Sequence, residues 1–261
     1  MIVDGRKIAD EILEEVKEKL RKSGKSLRLA AVLVGDDHEL NKFVRLKEKA
    51  AKETGIVFPI YQFPKEIKTN ELVGRIKEIL PYSDGVLVEL PLPRHIDQQA
   101  VLNEIPLEKD VDVLSEKSQE KFFAGQSKIL PPAVEAVKQI FKEYEIEPKG
   151  KMAAVFGQGL LVGKPVSHWL AREGAKVSII DEKTERPGEI SRDADIIVSG
   201  VGKPNLINDK MVKDGAVVID FGRDVEFESV SKKAGLITPP KGGVGPIVVA
   251  AVLKNLVELN V

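Results

Sequence analysis

Cysteine is absent from the sequence and histidine is scarce. Without cysteine the chain forms no disulfide, offers no thiol nucleophile and has no cysteine-ligated metal site. The three histidines, His38, His95 and His168, are far apart and show no metal-ligand spacing. These absences exclude thiol chemistry and predict a protein without a bound metal.

Long apolar runs and an excess of one charge are absent too. No stretch of about 18 apolar residues occurs and the N-terminus shows no signal-peptide pattern, so we expect a cytoplasmic protein without a membrane partner. The net charge of −1 gives no overall field that would attract nucleic acid. A chain of 261 residues has room for one large domain or two of ordinary size, and apolar residues, at 43%, suffice for their cores.

A strand, a glycine-rich turn and a helix follow one another after residue 151. Ala153–Phe156 is a short apolar run, typical of a buried parallel strand. Gly157, Gly159 and Gly163 follow it, and glycines let a backbone turn tightly and approach a pyrophosphate. The helix predicted at about 165–173 would point its N-terminal N–H groups and positive dipole end at a phosphate.

A second apolar run, Val177–Ile180, ends at Asp181. An acidic residue at this place can accept hydrogen bonds from the ribose hydroxyls of a dinucleotide. The glycine spacing, G-x-G-x-x-x-G, differs from the strict dinucleotide pattern. The alternative is therefore a strand–helix–strand unit with a tight turn and no ligand.

Strands and helices alternate along the rest of the chain. Apolar runs predict further strands at 29–34, 57–63, 85–90, 196–199, 217–220 and 236–238. Helical periodicity predicts helices at about 5–21, 40–54, 69–80, 98–104, 131–144 and 247–259, with Thr69 as an N-cap, whereas residues 108–129 show no clear period. This alternation predicts an α/β fold of two lobes, with parallel sheets covered by helices.

Ligands of such sheets bind beyond the carboxyl ends of the strands. Four loops are thereby candidates: the loop after Gly35, Glu89–Pro93, Gly157–Gly163 and Gly242–Pro246.

Polar residues near the first two loops are candidate site residues. Lys47 lies on the helix after the first loop, with Phe43 one turn earlier on the same face. Glu89 ends an apolar strand, where a carboxylate needs a partner, and Lys47 is a natural one. The plainer alternatives are a surface lysine at Lys47, a core ring at Phe43 and a loop carboxylate at Asp112.

The chain resembles the bifunctional methylenetetrahydrofolate dehydrogenase/methenyltetrahydrofolate cyclohydrolase family. The matching motifs occur in the order of the family and cover nearly the whole chain. They are VGDD at 34–37, FVR at 43–45 with Lys47, LPLP at 90–93, HID at 95–97, KDVD at 109–112, VGKP at 162–165, VGKP at 201–204, VID at 218–220 and GGVGP at 242–246.

The resemblance implies two α/β domains, the second a Rossmann-type parallel sheet, with a folate cleft between them and a C-terminal helix that packs back on the first domain. The first, folate-binding catalytic domain would comprise residues 1–132 and 243–261, and the dinucleotide-binding domain residues 133–242. The implied reaction passes hydride from 5,10-methylenetetrahydrofolate to nicotinamide. Hydration and ring opening of the methenyl product then give 10-formyltetrahydrofolate.

The resemblance also implies roles for the candidate residues. Lys47 would move protons in hydration and ring opening, Asp112 would hydrogen-bond the pterin, and Phe43, at the position of a family tyrosine, would stack on it. Glu89 stands where the family has glutamine, so a carboxylate would keep Lys47 protonated and weaken the cyclohydrolase. The remaining expected substrate contacts are Val88, Leu90, Lys241, Gly242, Gly243, Val244, Gly245 and Pro246.

The expected cofactor is NAD or NADP, with NAD favoured. Gln158 and Gly159 replace the arginine and serine with which the family holds a 2′-phosphate, while Asp181 and Glu182 would repel one. Lys183 and Arg186 are close enough in sequence to compensate for these carboxylates. The full expected cofactor set is Gly157, Gln158, Gly159, Val162, Gly163, Lys164, Asp181, Glu182, Gly202 and Arg223.

The expected partners are tetrahydrofolate derivatives and, as in the family, a second copy of the chain in a homodimer joined through the nucleotide domain. Two other functions stay open at this point. One is a nicotinamide-dependent dehydrogenase of another substrate, and the other is a paralogue that binds folate or NAD without turnover.

Overall fold

A computed structural model describes all 261 residues. The chain divides into two compact units, each made of two segments. One unit comprises Asp10–Pro132 and Val249–Val261, and the other comprises Met1–Ala9 and Ala133–Val248. We call them the N-terminal unit and the nucleotide unit.

Helices and strands alternate through most of the chain, as the sequence predicts, except that three consecutive helices separate the third strand from the fourth. In chain order they are α1 (Gly5–Ser23), β1 (Leu29–Val34), α2 (His38–Thr54), β2 (Ile60–Phe63), α3 (Thr69–Ile79), β3 (Gly85–Val88), α4 (Gln98–Leu102), α5 (Glu116–Phe123), α6 (Pro132–Glu143), β4 (Met152–Phe156), α7 (Gly163–Arg172), β5 (Lys176–Ile180), α8 (Pro187–Ser191), β6 (Ile196–Ser199), β7 (Val217–Asp220), α9 (Phe227–Val230), β8 (Leu236–Ile237) and α10 (Val244–Asn260).

The N-terminal unit contains a three-stranded parallel sheet in the order β2-β1-β3. All six residues of β1 are buried, which explains their continuous apolar run, because a central parallel strand is covered on both faces. Leu253 and Leu256 of α10 pack in the same core as Leu20 of α1 and Leu87 of β3. The expected return of the C-terminal helix to this unit is confirmed.

The nucleotide unit contains a five-stranded parallel sheet in the order β5-β4-β6-β7-β8. The chain passes from β5 on one side of β4 to β6 on its other side, so β4 marks the point where the strand order reverses. Open parallel sheets bind their ligands beyond the carboxyl ends of the strands at such a point. The predicted Rossmann-type sheet is confirmed.

The first nine residues belong to the nucleotide unit, whereas the sequence placed them with residues 10–132. Val3 donates its backbone N–H to Ile237, and Ile237 donates to Met1. These hydrogen bonds add the N-terminal segment to the β8 edge of the sheet. This pairing joins residues more than 230 positions apart and has no local sequence signal.

Several element boundaries also differ from those predicted. α5 lies inside residues 108–129, where no helix was expected, and begins at an N-cap, Ser115, whose side chain accepts from the Ser118 N–H. Thr69 is not an N-cap: Lys68 holds that position, and the Thr69 hydroxyl accepts from the Asp97 N–H instead. The last helix starts at Val244, inside the segment expected to be a turn. None of the helices is both long and apolar enough to span a bilayer.

Candidate active site

Lys47 and Glu89 form a buried ion pair in the N-terminal unit. Lys47 shares a buried stripe of α2 with Val44 and Ala51, so its side chain points into the protein. Glu89 directly follows β3 and donates its backbone N–H to Val32 of the central strand. The Lys47 Nζ lies 2.6 Å from the Glu89 Oε1, and the residues are 9% and 5% exposed. The surface-lysine alternative is therefore wrong, since the pair is shielded from water.

Asp112 adds a second carboxyl group to this pair. It is half-buried, and burial raises its pKa to about 7, opposed by the positive charge of Lys47 and reinforced by the negative charges of Glu89 and Asp110. No hydrogen bond within the protein satisfies the Asp112 carboxyl group. The site thus combines one ammonium group, one paired carboxylate and one carboxyl group that is free to bind a ligand.

The other expected substrate residues of this unit differ in accessibility. Phe43 lies one turn before Lys47 on α2 and is 43% exposed, so its ring is open to a ligand. Leu90 is half-buried, whereas Val88 is only 2% exposed. Val88 is therefore almost inaccessible to a ligand in this structure, whereas Leu90 is partly accessible.

A groove of the N-terminal unit lies beyond the carboxyl ends of its three strands. It encloses about 1480 Å³ and is lined by segments after each strand, among them Gly35, Phe63 and Pro91–His95. Lys47, Glu89 and Asp112 do not line it. The groove therefore offers space beside the Leu90–Pro91 segment, but the titratable cluster lies outside it.

The expected cofactor residues of the nucleotide unit follow the carboxyl ends of neighbouring strands. Phe156 pairs with Ile180 on one side and with Ser199 on the other, and Ser199 pairs with Asp220. The residues that follow these positions, namely Gly157, Asp181, Gly200 and Phe221, lie at one edge of the sheet. The sequence could predict this arrangement, since it follows from strand boundaries.

The geometry of the turn between β4 and α7 requires glycine at two positions. Gly157 has φ = +90°, a left-handed conformation that favours glycine. A Cβ atom at Gly163 would lie 2.0 Å from the Gly157 carbonyl oxygen, so only glycine fits where α7 begins. A Cβ at Gly159 would meet nothing within 4 Å, so the outer side of the turn is open. The backbone of this tight turn is accessible on its outer side and leads directly into the N-terminus of α7. This arrangement suits the binding of a dinucleotide phosphate.

Gln158 and Asp181 already have hydrogen-bond partners at this edge. Gln158 donates its side-chain N–H to the Gly157 carbonyl at 2.7 Å. Asp181 Oδ1 accepts from the Thr184 hydroxyl and the Lys183 N–H, and these contacts, in that order, lower the Asp181 pKa. Its second oxygen stays available. Glu182 is exposed beside it, and Arg186, also exposed, forms a long contact with Glu189.

Two carboxylates that the sequence analysis did not select shape the loops after β6 and β7. Asp224 is fully buried and accepts hydrogen bonds from the Ser199 hydroxyl and from the N–H groups of Val201 and Lys203. Asp220 accepts from the N–H groups of Gly222, Asp224 and Val225, and burial raises its pKa. The signal was available, because two aspartates flank a glycine directly after a buried strand.

The loops held by these carboxylates carry two of the expected cofactor residues. Gly202 has φ = +78°, and the exposed Arg223 has φ = +59°. The other expected cofactor residues, Val162 and Lys164, flank the start of α7 at Gly163. All of them lie on loops or helix starts after β4, β5, β6 or β7.

The turn at Lys241–Pro246 also belongs to the nucleotide unit, whereas the family resemblance implied that residues 243–261 belong to the first domain. Val244, Gly245 and Pro246 form the first turn of α10, where proline is tolerated because its missing N–H has no helical partner. A Cβ atom at Gly5 would lie 1.8 Å from the Gly243 carbonyl oxygen, so α1 starts directly against this turn. The expected substrate residues therefore fall in both units.

Comparisons with known proteins match both parts of the chain. The model of the tetrahydrofolate dehydrogenase/cyclohydrolase catalytic domain matches residues 3–112, and that of the NAD(P)-binding domain matches residues 131–261. The chain belongs to the tetrahydrofolate dehydrogenase/cyclohydrolase family. The resemblance seen in the sequence motifs is thereby confirmed.

Relatives and solved structures agree with this assignment. The bifunctional protein FolD of Nautilia profundicola is 40% identical and covers 98% of this chain and 96% of its own. The FolD structure from Campylobacter jejuni has a TM-score of 0.93 at 36% identity, covering 99% and 98% of the two chains. The FolD structure from Trypanosoma brucei, complexed with NADP and an inhibitor, has a TM-score of 0.94 at 31% identity, covering 99% and 96%.

These findings confirm the two-domain α/β fold, the nicotinamide-binding domain and a bifunctional dehydrogenase/cyclohydrolase of tetrahydrofolate metabolism. The preference for NAD or NADP, the role of each site residue and the homodimer stay predictions.

Proposed function

We propose that this chain oxidises 5,10-methylenetetrahydrofolate with a nicotinamide cofactor and hydrolyses the methenyl product to 10-formyltetrahydrofolate through Lys47. The observation that carries the proposal is the buried Lys47–Glu89 pair beside Asp112, whose carboxyl group has no partner in the protein. The oxidised nicotinamide supplies the hydride acceptor when bound. Every proton in the second reaction must be moved by the chain or by water.

Lys47 is suited to two proton transfers. Water adds to the bridging carbon and loses a proton. The carbon–nitrogen bond to the pterin ring then breaks as that ring nitrogen gains a proton and the new hydroxyl loses one to become the formyl oxygen, so one proton is released overall. Lys47 as a free amine can accept the first proton, and as an ammonium it can deliver the second. The Glu89 Oε1 accepts a hydrogen bond from the Lys47 Nζ at 2.6 Å, which fixes the direction of the group that would make both transfers.

Asp112 is suited to orient the pterin. An ionised carboxylate accepts hydrogen bonds from the amino group and ring N–H of a pterin, and charge-assisted bonds of this kind are strong. Because burial raises the Asp112 pKa to about 7, the free protein carries a mixture of both protonation states near neutral pH. We expect folate binding to favour the ionised state, so kcat/KM for folate should rise as the pH passes through about 7.

We infer that NAD is the preferred cofactor. Gln158 bonds the turn itself, and neither it nor Gly159 supplies a cation for a 2′-phosphate. Asp181 has one carboxylate oxygen available for a ribose hydroxyl, and the exposed Glu182 adds negative charge. Lys183 and Arg186 are the groups that would compensate if NADP were preferred.

We further propose that two copies associate through the nucleotide unit. β5 is an edge strand of its sheet, and Ile179 on it is 50% exposed. An edge strand with unpaired backbone groups and an exposed apolar side chain is suited to pairing with a second chain. This observation supports the homodimer that the family resemblance implies.

A specific observation favours a second candidate function, a dehydrogenase with little cyclohydrolase activity. The Lys47 Nζ is buried and already hydrogen-bonded to Glu89, so this contact must be exchanged before Lys47 can act on water. Dehydrogenation needs no protein base at the carbon that loses hydride, and it would be unaffected by this pairing.

The decisive test measures both half-reactions in the parent protein and in Lys47→Ala. We expect nicotinamide reduction with methylenetetrahydrofolate, faster with NAD than with NADP. In Lys47→Ala we expect methenyl hydrolysis to fall to the uncatalysed rate while hydride transfer persists. Lys49→Ala is the matched control, because Lys49 lies on the exposed face of the same helix. Absence of nicotinamide reduction with either cofactor would refute the dehydrogenase, and equal hydrolysis by parent and Lys47→Ala would refute the role of Lys47.

A further inference from the structure

The residue after Asp112 has an unusual backbone conformation. Val113 has φ = +59°, in the left-handed region, and is only 2% exposed. A β-branched residue is rare there, because its Cβ lies too close to the following carbonyl oxygen. Such conformations persist only where the surrounding structure enforces them, and they concentrate at functional sites.

Asp110 supplies the enforcing contacts. It is 2% exposed, and its carboxylate accepts hydrogen bonds from the N–H groups of Leu114 at 3.0 Å and Ser115 at 2.8 Å. The Val113 N–H donates to the Asp110 backbone carbonyl at 3.3 Å. Asp110 therefore holds both sides of Val113, and Asp112 lies inside the closed turn.

The turn is also fixed to the sheet. Val86 of β3 forms a parallel bridge with Asp110 and donates its N–H to the Lys109 carbonyl. Lys109 in turn donates its ammonium group to the carbonyls of Leu80 and Ser83. β3 leads directly to Glu89, so the turn that carries Asp112 and the strand that precedes Glu89 are joined.

We propose that Asp110 and Val113 are positioning residues, which hold the Asp112 carboxyl group toward the Lys47–Glu89 pair and thereby set the affinity for the pterin. The proposal rests on the proposed function of Asp112. The charged groups that face Asp112 are Lys47 from α2, Glu89 after β3 and Asp110 from the same turn. Neither Asp110 nor Val113 need touch substrate.

Asp110→Asn tests the positioning role of the Asp110 carboxylate. The amide keeps the shape of the side chain but loses the charge and one of its two acceptor oxygens. We expect KM for methylenetetrahydrofolate to rise at least tenfold, with KM for the nicotinamide cofactor unchanged within twofold. Because Asp110 disfavours ionisation of Asp112, we also expect the acid limb of the kcat/KM profile to move to lower pH. A purely structural role would not move that limb.

Val113→Gly tests the conformation separately and applies if Asp110→Asn fails to fold. Glycine adopts positive φ without strain but also adopts other conformations. The direction of the Asp112 side chain should therefore no longer be fixed. We again expect at least a tenfold rise in the folate KM with the cofactor KM unchanged. Glu145→Gly is the matched control: Glu145 is an exposed residue of the nucleotide unit with φ = 52°, and its replacement should change neither KM.

The outcomes separate this proposal from the function on which it rests. A parent protein that fails to oxidise methylenetetrahydrofolate refutes the proposed function. An active parent together with folded Asp110→Asn or Val113→Gly variants whose folate KM stays within twofold refutes the positioning role. A folate KM that rises in the variants, with an unchanged cofactor KM and an unchanged Glu145→Gly control, supports it.

Discussion

Asp112→Asn should stabilise the protein at alkaline pH while impairing folate binding. The ordinary pKa of the aspartate side chain is 3.8, and burial raises that of Asp112 to about 7. The difference is about 3 pKa units, and each unit corresponds to 1.36 kcal/mol, so keeping Asp112 ionised in the fold costs up to about 4 kcal/mol. Asparagine has nearly the same shape and carries no charge, so the variant avoids this cost.

The sign of the pH dependence of stability follows from the number of protons bound in the folded and unfolded states. Between about pH 4 and pH 7 the folded protein keeps the Asp112 proton, whereas the unfolded chain has lost it. The folded state binds more protons in this range, so the contribution of Asp112 to the free energy of unfolding falls as the pH rises and is constant above about pH 7. Asp112→Asn removes that fall. Parent and variant should be alike near pH 4, and the variant should be more stable above pH 7.

The assay is denaturant unfolding followed by circular dichroism at pH 5, 7 and 8.5. We expect the difference between variant and parent to grow with pH, by up to about 4 kcal/mol at pH 8.5. Asp97→Asn is a suitable control, because Asp97 is an exposed carboxylate that caps α4 in the same unit. A pH-independent difference for Asp112→Asn would refute the reasoning, since it would mean that Asp112 ionises in its ordinary range.

Three further predictions concern Glu89, the cofactor turn and the β5 edge. Glu89→Gln removes a charge 2.6 Å from Lys47, worth about 6 kcal/mol at an effective dielectric constant of 20 before desolvation. Glutamine cannot form this ion pair, so methenyl hydrolysis near neutral pH should accelerate, and an unchanged pH profile would contradict the coupling. Asp181→Ser combined with Gln158→Arg should lower the ratio of kcat/KM for NAD over NADP, and a parent that already prefers NADP would overturn the cofactor argument. Ile179→Lys should convert a dimer into a monomer in light scattering, and a monomeric parent would remove the β5 interface.

The sequence predicted most of the fold because buried parallel strands have a strong local signal. The predicted bounds of β1, β6 and β7 match the observed strands, since each is an apolar run ended by a polar residue or glycine. The errors occur where local signals are weak. α5 depends on a serine cap and on burial of Phe122, and the N-terminal pairing with Ile237 depends on contacts across the whole chain.

The candidate site was predictable in part for the same reason. A carboxylate at the end of a buried strand needs a partner, and the sequence offers Lys47, on the helix after the first candidate loop, as a natural one. The buried carboxylates Asp110 and Asp224 accept hydrogen bonds from backbone N–H groups and, at Asp224, from the Ser199 hydroxyl. Backbone N–H groups occur at nearly every residue, so they give no signal in the sequence. The aspartates themselves are visible in the sequence, but the backbone groups that they bind are identified only by the path of the chain.

Asp181 shows how a motif can have two physical explanations at once. The sequence favours a carboxylate for a ribose hydroxyl, and the structure gives the same carboxylate a turn to stabilise, through Thr184 and Lys183. The two roles are compatible because the turn uses one oxygen and fixes the direction of the other. A carboxylate that is already oriented loses less entropy on binding than a free one. Replacing Thr184 with valine should therefore weaken NAD binding without altering any group that contacts the cofactor, and an unchanged KM for NAD would show that orientation at Asp181 contributes nothing.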